Sequence, residues 1–577
     1  MSIEEALRKA VRSGWIQSPD QDLEGLIQGL DPAVQKYVVT LVERVQTLSE
    51  IGTALSAEHD LQRLLETIVS ETRNLTRADG GTLYLAGEEK QRLHFEIIQT
   101  ASLNLAMGGA TGDAISWEPI PLYGDESHPN HNNVSTYVAL TGNVVNIPDV
   151  YDVEGFDFSG TKQFDASNGY RSRSMLVIPM QNYEDEIIGA LQLINAIDEE
   201  TGEVIGFTPQ SQKLAGALAS QAAIAITNAT LIRDLRNLFD SLIQVIATAV
   251  DEKSPYTGGH IHRVAELSMR IAGEVNADQE GEFAEITFTE EELEELRIAA
   301  WLHDIGKITT PEYIVDKATK LETIYDRIHA VNLRYEIIRR DWEIDRLRAR
   351  IERLESGAAT GRSTESEESP QDVGQLDEER YWLHRANFGR ETISEQQKEK
   401  IRSIAARTYF MNGEKRHLLE PDEVVNLKVS RGTLNEEERA IIMNHVHVTR
   451  RLLDQLPFPG HLSRVPEFAG GHHEKLDGSG YPEGKAGEEI PLQTRIMAFA
   501  DVFEALTAED RPYKPGKQLS EAMQVLQSMV KNNEVDGRIF RLFVRSGLVK
   551  ECAEKYIKPE QVDCVEYSDT GEPLTGK

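Results

Sequence analysis

The histidines of this 577-residue chain are unevenly distributed, because 11 of the 15 lie between His260 and His473. Scattered histidines are the ordinary pattern, so this concentration points to one part of the chain. Within that part and just beyond it, five short segments carry neighbouring His and Asp residues. They are GGHIHRV (258–264), WLHDIGK (301–307), MNHVHVT (443–449), GGHHEKLDGSGYP (470–482) and RIMAFADVFEAL (495–506). A fold that uses these side chains together must bring five separate segments to one place.

The five segments together offer a set of candidate metal ligands. The set is His260, His303, Asp304, His445, His472, His473 and Asp501. Imidazole and carboxylate without thiolate suit Fe, Mn, Ni or Zn and disfavour a structural zinc–thiolate site. One ion does not need seven ligands, whereas two ions that share a bridging carboxylate would use them and could promote an in-line displacement at phosphorus. A lone histidine is more often a hydrogen-bonded helix residue, but adjacent His-Asp and His-His pairs favour a two-metal site.

Composition limits the class of partner and the compartment. The chain has 61 Lys and Arg against 96 Asp and Glu, a net charge of −35. A surface this acidic repels polyanions, so we expect no nucleic-acid polymer and no anionic membrane surface as a partner. Only Cys552 and Cys564 are present, the N-terminus lacks an apolar signal-peptide core, and polar residues interrupt the apolar stretch 214–232. These features predict a cytoplasmic protein without membrane insertion.

The N-terminal half has the pattern of an α+β domain of sensor size. Residues 1–50 read as helical, and residues 51–212 begin with a helix that places Leu61, Leu64, Leu65 and Ile68 on one side. Five strand-like segments follow, separated by polar and glycine turns. They are TLYLA (82–86), LHFEIIQ (93–99), VVNIP (144–148), SMLVIPM (174–180) and IIGALQLIN (187–195). A closing helix completes the predicted domain.

Residues 213–250 are predicted to form one long connecting helix. From position 218 to position 246, residues at alternating steps of 3 and 4 form a largely apolar seam. Such a seam is typical of a coiled coil, although a single amphipathic helix packed on its own domain would show it too. Because the seam continues between two domains, we favour a parallel dimeric linker and therefore a homodimer.

The C-terminal half, residues 251–545, is predicted to be an all-α domain with a helical insertion at about 312–431. The insertion resembles a helical hairpin whose tip, residues 356–378, is rich in Ser, Gly and Glu and is predicted to be disordered. Residues 546–577 are predicted to be a tail. The fold class is thus a multidomain chain, with an α+β domain followed by an all-α domain.

The motifs of the C-terminal half resemble those of the HD-GYP family, a branch of the HD metal-dependent phosphohydrolases. The resemblance is carried by HDIGK (303–307), HHEKLDGSGYP (472–482) and the Asp501 helix that leads to DRPYKP (510–515). It implies hydrolysis of the second messenger cyclic di-GMP to the linear dinucleotide or to GMP. It also implies that His303 and Asp304 are the name-giving pair, with Asp304 as the bridge between two ions. His260 and Asp501 would complete one ion, and His445, His472 and His473 the other.

The same resemblance assigns further roles and raises two questions. Asp304 and Lys307 would serve catalysis, and substrate would contact Lys307, Tyr481, Arg511 and Lys514. Some relatives bind a third metal through a Glu where this chain has Tyr256, which favours two ions here. The interval between Asp304 and His445 is much longer than in the family, so His329, in DKATKLETIYDRIH (316–329), is a rival for the role of His445. The segment GTLNEEERAIIMNH (432–445) favours His445, and its neighbours His447 and His262 are expected to be bystanders.

Residues 52–230 resemble a GAF domain. The strand order, NIPDVY (146–151) and GYRSRSMLVIPM (169–180) carry this likeness. The signature of cyclic-nucleotide-binding GAF domains is not met, because Ala196, Ser211 and Gln212 replace its charged residues. A thioether-linked bilin is excluded because the range contains no cysteine. The GAF signal is therefore expected to be another small molecule or a protein.

The combined expectation is a cytoplasmic cyclic di-GMP phosphodiesterase with two divalent ions, Fe or Mn in preference to Ni or Zn, regulated by a GAF domain. Two alternatives stay open. One is an HD-type phosphohydrolase for another cyclic dinucleotide or nucleotide, and the other is a non-catalytic signalling scaffold. The net charge does not oppose a cyclic dinucleotide, because bound metal reverses the local field in the pocket.

Overall fold

A computed structural model describes residues 60–87, 89–124, 128–253, 258–356, 370–389, 391–508 and 516–568, together with 32, 34, 38, 49, 51–53 and 58. The chain divides into two compact units, residues 1–238 and residues 239–577. Most of the predicted helical segment 1–50 lies outside the described residues.

The first unit is built on an antiparallel sheet. Helix α1 (Leu61–Thr76) begins at Asp60, whose carboxylate accepts the backbone N–H groups of Gln62 and Arg63. The strands are β1 (Ala78–Ala86), β2 (Arg92–Thr100), β3 (Leu105–Gly108), β4 (Ile120–Pro121), β5 (Val145–Ile147), β6 (Met175–Gln181), β7 (Ile187–Ile197) and β8 (Val204–Ile205). Their order is β3-β2-β1-β7-β6-β5, with β4 paired to β2 and β8 paired to β7. Helices α2 (Val134–Thr141) and α3 (Ser159–Asn168) lie in the connections.

Side chains on the two faces of this sheet enter two different cores. Leu176 of β6 and Leu191 of β7 belong to the cluster that includes α1, whereas Val177 and Ala190 belong to the cluster that includes α2. This separation follows from the period of two along a strand. All five predicted strands and the predicted first helix are present, so the α+β fold of this half is confirmed. The short strands β3, β4 and β8 were not predicted.

Helix α4 (Pro209–Asp251) is the predicted connecting helix, and it runs without interruption along the seam. Its N-terminal part enters the first core, where Leu218 and Ile226 are 2% and 3% exposed. Further along, Leu235 and Leu242 are 63% and 51% exposed. Near the C-terminal end Ile243, Ala247 and Val250 are buried again, so the interpretation as a helix packed on its own domain fits both ends and does not account for the exposed seam positions.

The same helix bears on the prediction of no membrane insertion. Among the described residues, one helix, α4, is long enough and apolar enough to cross a membrane. Its most apolar window has a mean hydropathy of 1.3. A third of that window is buried inside the protein, and a single helix of this kind is weak evidence for a span, because helices of soluble proteins also meet these criteria.

The second unit contains a helical core. Its helices are α5 (His260–Ala277), α6 (Glu290–Leu302), α12 (Glu436–Met443), α13 (His445–Leu453), α14 (Val465–Gly470), α15 (Leu492–Thr507), α16 (Leu519–Lys531), α17 (Gly537–Arg545) and α18 (Leu548–Tyr556). Helix α6 begins with a capping box in which Thr289 and Glu292 satisfy each other's backbone N–H groups. Phe468, Phe499 and Phe543 are at the centre of the shared core. The predicted helical character of this region is confirmed.

The insertion contains more than the predicted hairpin. It consists of α7 (Glu312–Val315), α8 (Ile328–Glu355), α9 (Pro370–Asn387), α10 (Glu395–Ala405), the two-stranded sheet β9 (Thr408–Met411) and β10 (Glu414–His417), and α11 (Pro421–Leu427). It has a hydrophobic cluster of its own, which includes Tyr335, Leu383 and Ile401. The predicted disordered tip is wrong for residues 370–378, which are helical because Leu376 packs into this cluster; residues 357–369 lie outside the described residues.

The predicted tail at 546–577 is also corrected. Helix α18 and the segment after it pack into the core of the second unit through Leu548, Cys552, Ile557 and Tyr567. Apolar residues on one side of a short amphipathic helix bury more surface by docking than by remaining in solvent. Residues 569–577 lie outside the described residues.

The burial of Cys552 can be tested with a thiol reagent. Burial and the neighbouring Glu551 raise the pKa of Cys552 to about 12, and the side chain is 2% exposed. We expect a Cys564→Ser variant, which keeps Cys552 alone, to resist a chromogenic disulfide reagent at pH 8 and to react fully in urea, since the thiolate is the nucleophile. Rapid labelling of the folded variant would show that α18 is not packed in the core.

Candidate metal centre

The five histidine- and aspartate-bearing segments meet within the second unit. Helix ends position several of the candidate ligands: His260 is the first residue of α5, His303 closes α6, and His445 is the first residue of α13. The glycine before α5, Gly259, has φ of 80°, a conformation that favours glycine. The other candidate ligands are Asp304 directly after α6, His472 and His473 after α14, and Asp501 within α15.

Asp304 lies at the centre of this arrangement, and its two oxygens face different histidines. Oδ2 is 3.5 Å from Nε2 of His260 and 3.4 Å from Nε2 of His303. Oδ1 is 3.3 Å from Nε2 of His445 and 4.0 Å from Nε2 of His472. A carboxylate placed in this way can contact one ion through each oxygen.

The potential ligand atoms fall into compact groups. In the described part of the chain, three groups have all their ligand atoms within 4.8 Å of one another. They are His260, His303 and Asp501; His445, His472 and His473; and His303, Asp304 and His472. The first two groups lie on the two sides of Asp304, and the third links them.

Four buried ligand atoms here have no hydrogen-bond partner among the described residues. They are Nε2 of His303, His445 and His472, and Oδ1 of Asp304. Each of the three histidines directs Nδ1 to a main-chain carbonyl three residues earlier, at 2.8, 2.6 and 2.7 Å. Because a carbonyl only accepts, Nδ1 carries the proton and Nε2 offers a lone pair to the site. Unpaired buried polar atoms are uncommon, so this donor set fits bound divalent metal.

The charge states also suit metal binding. Burial alone would raise the pKa of Asp304, but Lys307 and His303 hold the pKa well below its usual range. The pKa of Asp501 is lowered in the same way, since contacts with His260 outweigh its burial. Burial lowers the pKa of His473 to about 4. At neutral pH the carboxylates are therefore ionised and the His473 imidazole is neutral.

Two of the predicted substrate-contacting residues border the cluster. Lys307 donates from Nζ to Oδ2 of Asp304. The ring of Tyr481 lies against that of His473, with centroids 4.8 Å apart and planes inclined by 33°. A Cβ on Gly480 would lie 2.3 Å from the backbone nitrogen of Lys475, so only glycine fits before Tyr481. Arg511, Lys514 and Tyr256 lie outside the described residues.

The rival and bystander histidines are elsewhere. His329 is exposed near the start of α8 in the insertion and belongs to none of the three groups. His447 is exposed on α13, two residues beyond His445. His262 is exposed and packs its ring edge against Trp301. The structure thus brings His445, and not His329, to Asp304.

Sequence reasoning missed the residues that fix the ligands in place. Glu504 lies 2.5 Å from Nδ1 of His260 and accepts two N–H groups of Arg263. Thr449 donates to the carbonyl of His303 and accepts the N–H of Gly306. The spacing held a signal in each case, because Glu504 is three residues after Asp501 and Thr449 is four after His445, which places each on the same helix face as a ligand.

Comparisons with known proteins agree with this architecture. A GAF domain model matches residues 60–226, and two HD domain models match residues 257–407 and 417–539. The 3'3'-cGAMP-specific phosphodiesterase 1 of Vibrio cholerae is 42% identical over 126 residues, 22% of this chain and 28% of that protein. The cyclic di-GMP phosphodiesterase of Thermotoga maritima is 38% identical over 109 residues, 19% of this chain and 28% of that protein. The chain thus spans less than a third of the length of these curated relatives.

A solved structure was also found for the first unit. The GAF domain of an Acinetobacter phosphoenolpyruvate-protein phosphotransferase aligns with 33% of this chain and 98% of its own at 16% identity, with a TM-score of 0.25.

The fold and the matches together show an α+β domain similar to GAF domains followed by a helical region similar to HD domains. The chain contains a GAF domain followed by an HD domain, and the resemblance of its motifs to the HD-GYP family is confirmed.

Proposed function

We propose that the protein is a metal-dependent phosphodiesterase that hydrolyses cyclic di-GMP to linear pGpG or to GMP. The observation that carries this proposal is the position of Asp304, whose two oxygens face different groups of buried histidines. The relatives support it, since several carry names of cyclic dinucleotide phosphodiesterases.

In this proposal His260, His303 and Asp501 would hold one divalent ion, His445, His472 and His473 would hold a second, and Asp304 would contribute to both, with Fe or Mn preferred to Ni or Zn. Such ions, when bound, activate water and stabilise charge on the phosphoryl oxygens. Lys307 fixes the orientation of Asp304 through their ion pair and contributes positive charge toward a phosphate. Tyr481 offers its ring to the ligand, and Arg511 and Lys514 are proposed to bind the phosphates.

The GAF domain is proposed to regulate the HD domain in response to a small molecule. A cavity of about 940 Å³ in the first unit supports a small-molecule signal. Five aromatic rings contribute to its lining, those of Tyr84, Phe95, Trp117, Phe164 and Tyr170. None of the described lining residues is Lys, Arg or His, and this composition disfavours an anionic cyclic nucleotide.

The domain limits and assembly are part of the same proposal. Residues 51–212 form the GAF unit, 213–250 the connecting helix, and 251–545 with the docked helix α18 the HD unit. The exposed apolar positions of α4 after residue 231 support a parallel homodimer through this helix. We place the protein in the cytoplasm because of its two cysteines and strongly acidic surface.

A second substrate has specific support. Three relatives of Vibrio cholerae, each 42% identical over its matched segment, are named 3'3'-cGAMP-specific phosphodiesterases. The GYP loop does not by itself select the bases, so 3'3'-cGAMP is the alternative substrate.

Hydrolysis by the purified full chain tests the proposal. With Mn²⁺ or Fe²⁺ added, we expect cyclic di-GMP to be converted to pGpG or GMP, and a His303→Ala, Asp304→Ala double variant to be inactive because the shared ligands are gone. Products are identified by chromatography, with 3'3'-cGAMP in a parallel reaction. Faster turnover of 3'3'-cGAMP would assign the alternative substrate, and equal activity of the double variant would reject the metal mechanism. Purification without bound metal and without activity would favour a scaffold.

A further inference from the structure

The histidines of the candidate metal centre differ in the group that contacts Nδ1 of the imidazole ring. His303, His445 and His472 each direct Nδ1 to a neutral main-chain carbonyl. His260 instead places Nδ1 2.5 Å from Oε2 of Glu504. Of the four ligands whose Nδ1 contacts are described, His260 is the one supported by a carboxylate.

Glu504 is itself firmly held. Its side chain is almost fully buried, and Oε1 accepts Nε of Arg263 at 2.9 Å and Nη2 at 2.7 Å. Arg263 lies three residues after His260 on α5, and Glu504 lies three residues after Asp501 on α15. The Arg263–Glu504 pair therefore connects the two helices that supply these ligands.

This arrangement affects the ligand strength of His260. A carboxylate that accepts the Nδ1 proton makes the imidazole a better metal ligand than a neutral carbonyl does, and it fixes the orientation of the ring. Arg263 compensates the charge of the buried carboxylate. Glu504 touches neither the proposed ion nor substrate, so its effect is exerted through His260.

We propose that Glu504, held by Arg263, is a positioning residue that makes the two metal positions unequal. The position formed by His260, His303 and Asp501 binds its ion more tightly than the position formed by His445, His472 and His473, so the two positions fill in sequence. This inference rests on the proposed two-metal site and deepens it.

Metal binding tests the inference without any use of activity. Metal-free full-length protein is titrated with Mn²⁺ in a calorimeter, and we expect two binding steps in the parent. In Glu504→Gln, the tighter step should weaken by about 10–100-fold, the range found for partners of metal-ligating histidines, while the weaker step stays unchanged. A purely structural role of Glu504 would shift both steps together.

A matched control is available in the same domain. Asp536 is a buried carboxylate paired with Arg495 and Arg538, and it caps helix α17 without contact to any predicted ligand. Asp536→Asn removes a buried charge of the same kind and should leave both binding steps at their parental affinities. If Glu504→Gln does not fold, Arg263→Lys serves instead, since it loosens the carboxylate and should weaken the tighter step alone.

The outcomes separate this inference from the proposed function. Two equal steps in the parent, or a tighter step that is the same in the parent and in Glu504→Gln, would overturn the inference and leave the phosphodiesterase proposal intact. A parent protein that binds no Mn²⁺ would overturn the proposed metal mechanism itself.

Discussion

Replacing His445 by alanine is expected to lower turnover of the cyclic dinucleotide by more than about 100-fold, the upper end of the effect of a residue that only supports a ligand. His445 directs Nε2 toward Oδ1 of Asp304 at 3.3 Å and has no other described partner for that atom. Its loss leaves His472 and His473 as the remaining histidines on that side. Elemental analysis of the purified variant should therefore show one bound ion where the parent has two.

Two other histidines provide matched controls for this change. His447 lies on the same helix but is exposed, and His329 is the rival ligand in the insertion. Alanine at either position should leave the turnover and the metal content at parental values. A loss of metal in His329→Ala together with a normal His445→Ala would reverse the assignment.

Replacing Lys317 by methionine is expected to lower the free energy of unfolding of the second unit by about 3–5 kcal/mol, the cost of breaking a buried ion pair. The Lys317 side chain is fully buried, and Nζ donates to Glu438 at 2.6 and 2.7 Å and to Asn426 at 2.9 Å. Methionine has a similar volume but leaves the Glu438 carboxylate without its cation. Urea unfolding followed by tryptophan fluorescence measures the change, because Trp342 and Trp382 pack against the insertion core.

Two further variants test whether the loss of stability comes from the buried ion pair. The double variant Lys317→Met, Glu438→Gln should recover part of the loss, since no uncompensated charge remains buried. Arg348→Met breaks an exposed pair with Asp345 and should change stability by at most about 1 kcal/mol. An effect of Lys317→Met no larger than that of Arg348→Met would mean that the pair does not anchor the insertion.

The Lys317–Glu438 pair joins the two ends of the insertion. Lys317 lies just after α7, near the start of the insertion, and Glu438 lies in α12, the helix directly before α13 and its first residue His445. Their contact holds the two ends of the insertion together, next to the segments that carry Asp304 and His445. Sequence reasoning identified the segments around both residues only as two possible lead-ins to a ligand, because the pairing joins positions more than 100 residues apart.

The site illustrates what local pattern can and cannot predict. All seven candidate ligands lie in the groups around Asp304. The sequence could indicate them because adjacent His-Asp and His-His pairs are an unusual use of polar residues among apolar neighbours. Glu504 and Thr449 were missed because a single Glu or Thr on a helix is ordinary, and only the packing of α15 and α13 shows what each contacts.

The fold also shows that local sequence pattern predicts some elements and misses others. Alternating and helical periodicities predicted the main strands and helices, since burial on one face imposes a period that is visible in the sequence. They failed for α18 and for residues 370–378, where short amphipathic segments between polar runs resemble a tail or a loop until a core is present to receive them.

The sequence by itself determined the chemistry available to this protein: histidines and carboxylates without thiolates, an acidic exterior, and motifs typical of an HD-GYP domain behind a GAF domain. The tertiary structure decided the geometry: which histidines face each oxygen of Asp304, that His329 stays outside, and that His260 alone among the four candidate ligands with a described Nδ1 contact is supported by a carboxylate. The physical reason is that residue types set what a side chain can donate or accept. Which partners it meets depends on the packing of helices that are far apart in the chain.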